Sequence, residues 1–249
     1  DFVVLDNLSD MNILEVYHRG KKIIKDEKVE IRPCDPQLKN TVHLLGFRES
    51  DLCLPWREGK VHILKMLEGQ IVTEDVQEEV GYTEEKGRKV FKPDGTYQKI
   101  AAVERHKNTG KIGVGIVKGF GLRGGAIASS VSHDSHNLIV IGDNDHDMYL
   151  AVQELLRTQG GYTLVENGQV FDTLPLPIMG LMSDAGYEKV NEKLARMIPK
   201  AHEMGIPEGF DPFITLSFMA LPVIPEIRIT PRGVYLTQED RMIQSPFDR

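Results

Sequence analysis

The chain has 249 residues, of which 41% are hydrophobic and 27% charged, and its formal net charge at pH 7 is -7. This length and composition are typical of a globular protein with one large domain or two ordinary ones. The acidic balance, without a run of Lys and Arg interleaved with aromatic residues, argues against a nucleic-acid partner. No apolar stretch approaches the roughly 20 residues of a membrane-spanning helix, so no membrane partner is expected.

Short strands are predicted in the first part of the chain. Apolar patterns indicate strands at residues 2–5, 13–17 and 23–24, an extended Pro-containing connection over 30–60, and strand pairing again over 61–72. The opening Asp1-Phe2-Val3 reads as the middle of a strand, so we expect this chain to be a piece of a longer polypeptide. The two cysteines, Cys34 and Cys53, lack a metal-ligand spacing and are interpreted as free thiols of a cytoplasmic protein.

Strands and two long helices are predicted in the rest of the chain. The strands are expected at 100–106, 112–120, 126–131 and 137–141. The helices are expected at 143–159, capped by Asn144 or Asp145, and at 183–203, capped by Ser183 or Asp184. An Asn-Gly hairpin turn lies at 167–168, and the segment 213–229 is strongly apolar.

These patterns predict an α+β fold. Residues 1–72 are expected to form the remnant of a small β-sandwich. Residues 73–249 are expected to form a mixed-sheet domain with two long helices.

Two patterns resemble ligand-binding loops but fail at a required position. The glycines from Gly113 to Gly125 suggest a phosphate loop, yet a dinucleotide fingerprint that begins at Gly113 needs glycine where Lys118 stands. The acidic residues at 143, 145, 147 and 154 match a calcium loop, but Met148 occupies the position where that loop needs glycine. Close strand packing and helix capping explain these residues better.

The most polar segment is Ser132–Asn137, which carries His133, Asp134 and His136 beside a predicted buried strand. Buried polar groups need a hydrogen-bond partner, a metal or a substrate. The two imidazoles reach one ion only if the segment turns, which Asp134 favours. Metal ligation, catalysis and a structural polar network therefore stay open as interpretations.

The segment Glu104-Arg105-His106 ends a predicted strand and has two similar interpretations. Either it contributes to a functional site, or Glu104 and Arg105 form an ion pair beside a hydrogen-bonded His106. No His-x-His pair and no Gly-x-Ser-x-Gly motif occur in the chain. The residues by themselves therefore predict no self-contained catalytic centre.

Several segments together resemble the bacterial adenine deaminases, a family of the amidohydrolase superfamily. Their order and spacing match over residues 100–230, in the segments 103–106, 113–122, 124–137, 144–145, 174–178, 180–183 and 211–218. The segments 1–6, 16–17 and 20–21 are similar to the strands that follow the catalytic barrel in that family.

The resemblance implies the hydrolytic deamination of adenine to hypoxanthine and ammonia, a step of purine salvage. It also implies manganese or iron, bound in a (β/α)8 barrel that would lie upstream of Asp1. The metal would activate water, and a carboxylate would move the proton. No metal site and no cofactor site are expected in the chain itself, which would be inactive alone.

Three roles for the chain follow from this resemblance. In the first, His133, Asp134, His136 and His106 lie at or near the barrel mouth, where they bind purine edges, orient a loop or support a neighbouring group. In the second, the domain is a non-catalytic dimerisation or stabilising module whose apolar segment 213–224 forms a homo-oligomer interface, the alternative being burial in the core. In the third, the domain has a small-molecule or metal site of its own.

Overall fold

The computed structural model describes residues 1–23 and 33–248, and the chain divides into two compact units, 1–34 and 35–249. The first unit contains a three-stranded antiparallel sheet of β1 (Phe2–Leu5), β2 (Ile13–His18) and β3 (Lys21–Ile23). The predicted strands at 2–5 and 13–17 are confirmed. Ile24 and residues 30–32, which were included in predicted elements, lie outside the described residues.

The division between the units differs from the boundary predicted at 72/73. The strands β4 (Val61–Met66) and β5 (Thr73–Glu78) pair with each other, and β4 also pairs with a later strand of the second unit. Residues 35–72 therefore belong to the larger unit, because β4 lies inside its main sheet. The idea that 1–72 is a sandwich segment that follows a barrel stays a prediction.

The larger unit is built on an eight-stranded mixed sheet. The strands β6 (Tyr82–Glu85) and β7 (Arg88–Phe91) form a separate hairpin. The main sheet continues with β8 (Tyr97–Val103), β9 (Ile112–Lys118), β10 (Gly125–Ser129), β11 (Leu138–Gly142), β12 (Gly161–Glu166) and β13 (Gln169–Pro175). The strand order is β13-β12-β10-β11-β8-β9-β4-β5, in which only the β4–β9 pair is parallel. The predicted α+β class with a mixed sheet is confirmed.

Both faces of this sheet are covered, because its central strands are apolar on both sides. Along β11, Leu138 and Val140 contribute to one core, while Ile139 and Ile141 contribute to the other. Helix α1 (Asp145–Thr158) packs on the first face. The second face is covered by α2 (Tyr187–Glu203), α3 (Pro212–Phe218) and a small sheet of β14 (Ile227–Thr230), β15 (Gly233–Leu236) and β16 (Arg241–Ile243). In the described part of the chain, short 3-10 helices span Pro36–Lys39, Glu49–Leu52 and Thr237–Glu239.

The two long helices are confirmed, with one correction at a helix start. Asn144 caps α1 by accepting a hydrogen bond from the backbone N–H of Asp147 at 2.8 Å. Helix α2 begins at Tyr187 rather than near 183, after Gly186 in a left-handed conformation (φ +88°). Asp184 does not cap it, because its carboxylate pairs with Lys39 at 2.5 Å instead.

The apolar segment 213–229 is mostly core. Asp211 caps α3 with Pro212 at its first position, and Phe213, Leu216 and Met219 are buried against the sheet. Most of this segment is therefore buried in the core. Ile214 and Val223 remain exposed, at 54% and 78%.

Candidate functional site

Three turns meet at one end of the central strands of the main sheet because of its register. The antiparallel pairing places Leu138 of β11 and Ile112 of β9 on either side of Val103, the last residue of β8. The loop before β11 and the turn after β8 therefore lie side by side, although about 30 residues separate them in sequence. The β14–β15 turn joins them, since the backbone of Thr230 lies directly over Gly113 of β9.

The loop Ser132–Asn137, here called the histidine loop, carries His133 and His136 and turns back on itself. His136 adopts a left-handed conformation (φ +50°), and its backbone N–H donates to the carbonyl oxygen of Ser132 at 2.6 Å. The backbone N–H of Ser132 in turn donates to Nδ1 of His136 at 3.2 Å. Burial, followed by the proximity of His133 and Arg105, which disfavours the protonated form, lowers the pKa of His136. The imidazole is therefore held neutral, with Nδ1 as an acceptor.

His133 and Asp134 occupy the outer part of the same loop. The His133 ring stacks on Phe218 with the ring centroids 4.8 Å apart, and its edge faces His136 at 5.5 Å. The backbone N–H of His133 donates to the carbonyl oxygen of Ser217 at 2.9 Å, which ties the loop to α3. The Asp134 carboxylate is 84% exposed and lies 3.8 Å from Nδ1 of His133.

His106 reaches the same loop from the turn after β8. Its Nε2 donates to the carbonyl oxygen of Ser135 at 2.6 Å. The structure thus brings all four predicted site residues, His106, His133, Asp134 and His136, around one loop. Their part in catalysis or binding stays a prediction.

The expected ion pair between Glu104 and Arg105 is replaced by two separate networks. The Arg105 guanidinium is buried and donates to the carbonyl oxygens of His136, Thr41 and Met179. Burial lowers the pKa of Arg105 to about 10. The side chain holds three backbone segments together and has no hydrogen bond to Glu104 among the described residues.

Glu104 organises the turn after β8. Its carboxylate accepts hydrogen bonds from the backbone N–H groups of His106, Lys107 and Thr109, and from the Thr109 hydroxyl. Burial alone would raise the pKa of this carboxyl, but these hydrogen bonds outweigh it and lower the pKa to about 2. The ionised carboxylate therefore fixes the backbone of the turn.

A cleft of about 560 Å³ opens between the three turns. Two of the four predicted residues, His106 and Asp134, line it. Apolar residues around Leu221 and Ile229 form much of its wall, and Lys107, Lys111 and Arg232 also line it. The sequence did not link the segments 220–223 and 229–232 to the histidine loop.

The described residues offer no set of ligands for the manganese or iron that the resemblance implies. Over residues 1–23 and 33–248, no group of three or more His, Cys, Asp or Glu side chains is placed to hold a metal ion. His133 and His136 face each other edge to face, and His136 uses Nδ1 as a backbone acceptor. Within the same described residues, no helix is both long enough and apolar enough to cross a membrane.

A family model for the adenine deaminase C-terminal domain matches residues 70–241. The chain belongs to this family. The resemblance seen in the sequence is thereby confirmed over the main sheet apart from β4, the histidine loop and the two long helices.

Curated adenine deaminases match nearly the whole chain. The adenine deaminase of Desulfitobacterium hafniense is 50% identical over 244 residues, which are 98% of this chain and 42% of that protein. Those of Nitratidesulfovibrio vulgaris and Clostridium acetobutylicum are 41% and 40% identical, and each match covers 94% of this chain. The chain therefore spans about two fifths of the length of these adenine deaminases.

Proposed function

We propose that this chain is the C-terminal part of an adenine deaminase, which hydrolyses adenine to hypoxanthine and ammonia. The match to the family's C-terminal domain over residues 70–241 carries this proposal. The relatives named adenine deaminase support it over 94% or more of the chain. The cytoplasm, as a site of purine salvage, is the proposed location.

The manganese or iron of the complete protein is proposed to lie outside the described residues, because these offer no ligand set for a metal. The barrel expected from the resemblance is the proposed place for it. The chain alone is accordingly expected to release no ammonia from adenine. The test is an ammonia assay of the complete protein, with and without added manganese or iron, beside the same assay on the 249-residue chain.

The histidine loop is proposed to lie at or near the active site of the complete protein. Its geometry supports this, since His106 and Asp134 both line the cleft. The Asp134 carboxylate is 84% exposed and accepts no hydrogen bond from the described residues. An exposed carboxylate without such a structural partner is free to contact a substrate.

Asp134→Asn in the complete protein separates a functional role from a structural one. We expect kcat/KM for adenine to fall at least about tenfold with an unchanged melting temperature, because the substitution removes only the charge. Glu208→Gln is the matched control, since Glu208 is 89% exposed and also lies 3.8 Å from a histidine, His202. Wild-type turnover in Asp134→Asn would place the loop away from the chemistry.

His136 needs a different substitution because of its backbone. Alanine is disfavoured at a φ of +50°, so a His136→Ala variant mixes strain with loss of the ring. Asn tolerates that conformation and retains a hydrogen-bond acceptor. We expect His136→Asn to lower turnover more than thermal stability. The reverse result, full turnover with a lower melting temperature, would assign His136 to the fold.

A role in homo-oligomer formation is the second candidate, and the exposure of Ile214 on α3 favours it. An exposed apolar side chain next to the half-buried Phe218 is suited to a subunit contact. Sedimentation of the complete protein with Ile214→Asp tests this function. A lower mass than that of the wild type would support it, and an unchanged mass would exclude Ile214 from the interface.

A further inference from the structure

Three cations line the cleft without a carboxylate partner among the described residues. Lys107 lies in the turn after β8, and Lys111 directly precedes β9. Arg232 lies in the β14–β15 turn. All three are exposed. All three line the same cleft in a chain whose net charge is -7, so the overall charge of the protein does not explain them.

The two carboxylates that line the cleft form no ion pair with these cations among the described residues. Glu104 is directed at backbone N–H groups of its own turn, including that of Lys107 at 2.7 Å. It therefore fixes the backbone that carries Lys107. Asp134 is 84% exposed, where water screens its charge.

The interior of the cleft is apolar. Ala102, Ala220 and Ile229 are buried, and Leu221, Pro222 and Val223 extend the wall toward the mouth. A volume of about 560 Å³ lies within the range of small-molecule sites. An apolar interior lined also by cations suits a molecule with an apolar body and one anionic group.

We propose that this cleft binds a small organic anion of the phosphate monoester class, with its apolar body against residues 220–223 and its phosphate on Lys107, Lys111 and Arg232. The inference goes beyond the proposed function, because adenine is neutral and offers these cations no partner. It does not require that the complete protein deaminate adenine. Adenosine monophosphate is a suitable probe, since it combines a flat base with one phosphate.

Isothermal titration calorimetry of the complete protein tests the proposal with adenosine monophosphate, adenosine and inorganic phosphate as separate probes, since adenine itself would also be consumed at the proposed active site. We expect the monophosphate to bind at least about tenfold more tightly than either other probe, because only it uses both parts of the cleft. Lys111→Gln and Arg232→Gln should each weaken its binding roughly two- to fivefold, as expected for an exposed ion pair. Lys92→Gln, at an exposed lysine that does not line this cleft, is the control and should change nothing.

The apolar wall has its own test. Val223→Asp replaces an exposed wall residue by an anion and should weaken binding of the monophosphate more than either cation variant does. Equal affinity for inorganic phosphate and the monophosphate would overturn the proposal, as would no binding of the monophosphate. Equal effects of Lys92→Gln and Arg232→Gln would do so too.

Asp134→Asn distinguishes this proposal from the proposed function. The substitution should lower turnover of adenine, yet leave binding of the monophosphate unchanged or slightly stronger, because it removes a negative charge from the cleft. Binding of the monophosphate without deamination would refute only the proposed function. Deamination without such binding would refute only the anion site.

Discussion

Arg105 and His136 are joined by a hydrogen bond in which the guanidinium Nε donates to the backbone carbonyl oxygen, although 31 positions separate them. The same guanidinium donates to the carbonyl oxygens of Thr41 and Met179, both at 2.9 Å. Gly180, with a φ of +73°, lies against it so closely that a Cβ there would be 3.0 Å from the guanidinium. The histidine loop is therefore anchored from its buried side, while its outer side remains open to the cleft.

Arg105→Met is expected to lower the free energy of unfolding by about 3 kcal/mol or more, because three backbone carbonyls lose a charged donor. Urea denaturation monitored by circular dichroism measures this loss. Arg88→Met, at an exposed arginine of β7, is the control and should change stability by no more than about 0.5 kcal/mol. A loss below about 1 kcal/mol for Arg105→Met would show that water replaces the guanidinium.

The ionised state of Glu104 should make stability depend on pH. Its pKa of about 2 in the folded protein lies below its ordinary value of 4.5, so its contribution is complete above pH 4.5 and is lost as the pH falls toward 2. Because the group is only partly buried, solvent screening leaves a contribution of about 1–2 kcal/mol. Glu104→Gln should flatten the stability profile in that window, whereas Glu84→Gln, at an exposed carboxylate of β6, should leave it unchanged. Parallel profiles for wild type and Glu104→Gln would contradict this account.

Lys99 and Asp145 form an ion pair beneath the start of α1, and Lys99 is 2% exposed. Burial raises the pKa of Asp145, whereas the charge of Lys99 and its hydrogen bond oppose that rise. Lys99→Met should cost about 3 kcal/mol because it leaves an unpaired carboxylate. The double variant Lys99→Met/Asp145→Asn should recover most of that loss. Additive losses in a double-mutant cycle, measured by thermal unfolding, would show that the two groups act independently.

Gly113 is expected to tolerate no side chain. A Cβ at this position would lie 2.0 Å from the carbonyl oxygen of Thr230, where the small sheet crosses β9. Gly113→Ala should therefore cost at least about 2 kcal/mol through forced displacement of the backbone. Gly81→Ala, at a position with no atom within 4 Å of the added carbon, should change the unfolding midpoint little. Similar unfolding midpoints for both variants would mean that the backbone at Thr230 can move away from residue 113 at little cost in stability.

Local patterns in the sequence predicted most of the elements and not their assembly. The helix after Asn144 follows from a capping side chain and an apolar stripe, both of which are local signals. The histidine loop was also predictable, because its polar residues are contiguous. The cleft was not, since Lys111 and Arg232 are far apart in sequence and are brought together only by the approach of Thr230 to Gly113. The carbonyl-binding role of Arg105 was missed for the same reason, because its partners lie 31 to 74 positions away.

The position of β4 sets a practical limit on how this domain can be isolated. The matched family segment begins at residue 70, after β4 has ended at Met66. Removing β4 would take away the neighbour that β5 and β9 share and leave β9 as an unpaired apolar edge. A protein that contains only the matched segment should therefore aggregate when it is expressed. A protein that begins ahead of Val61 retains every strand of the main sheet.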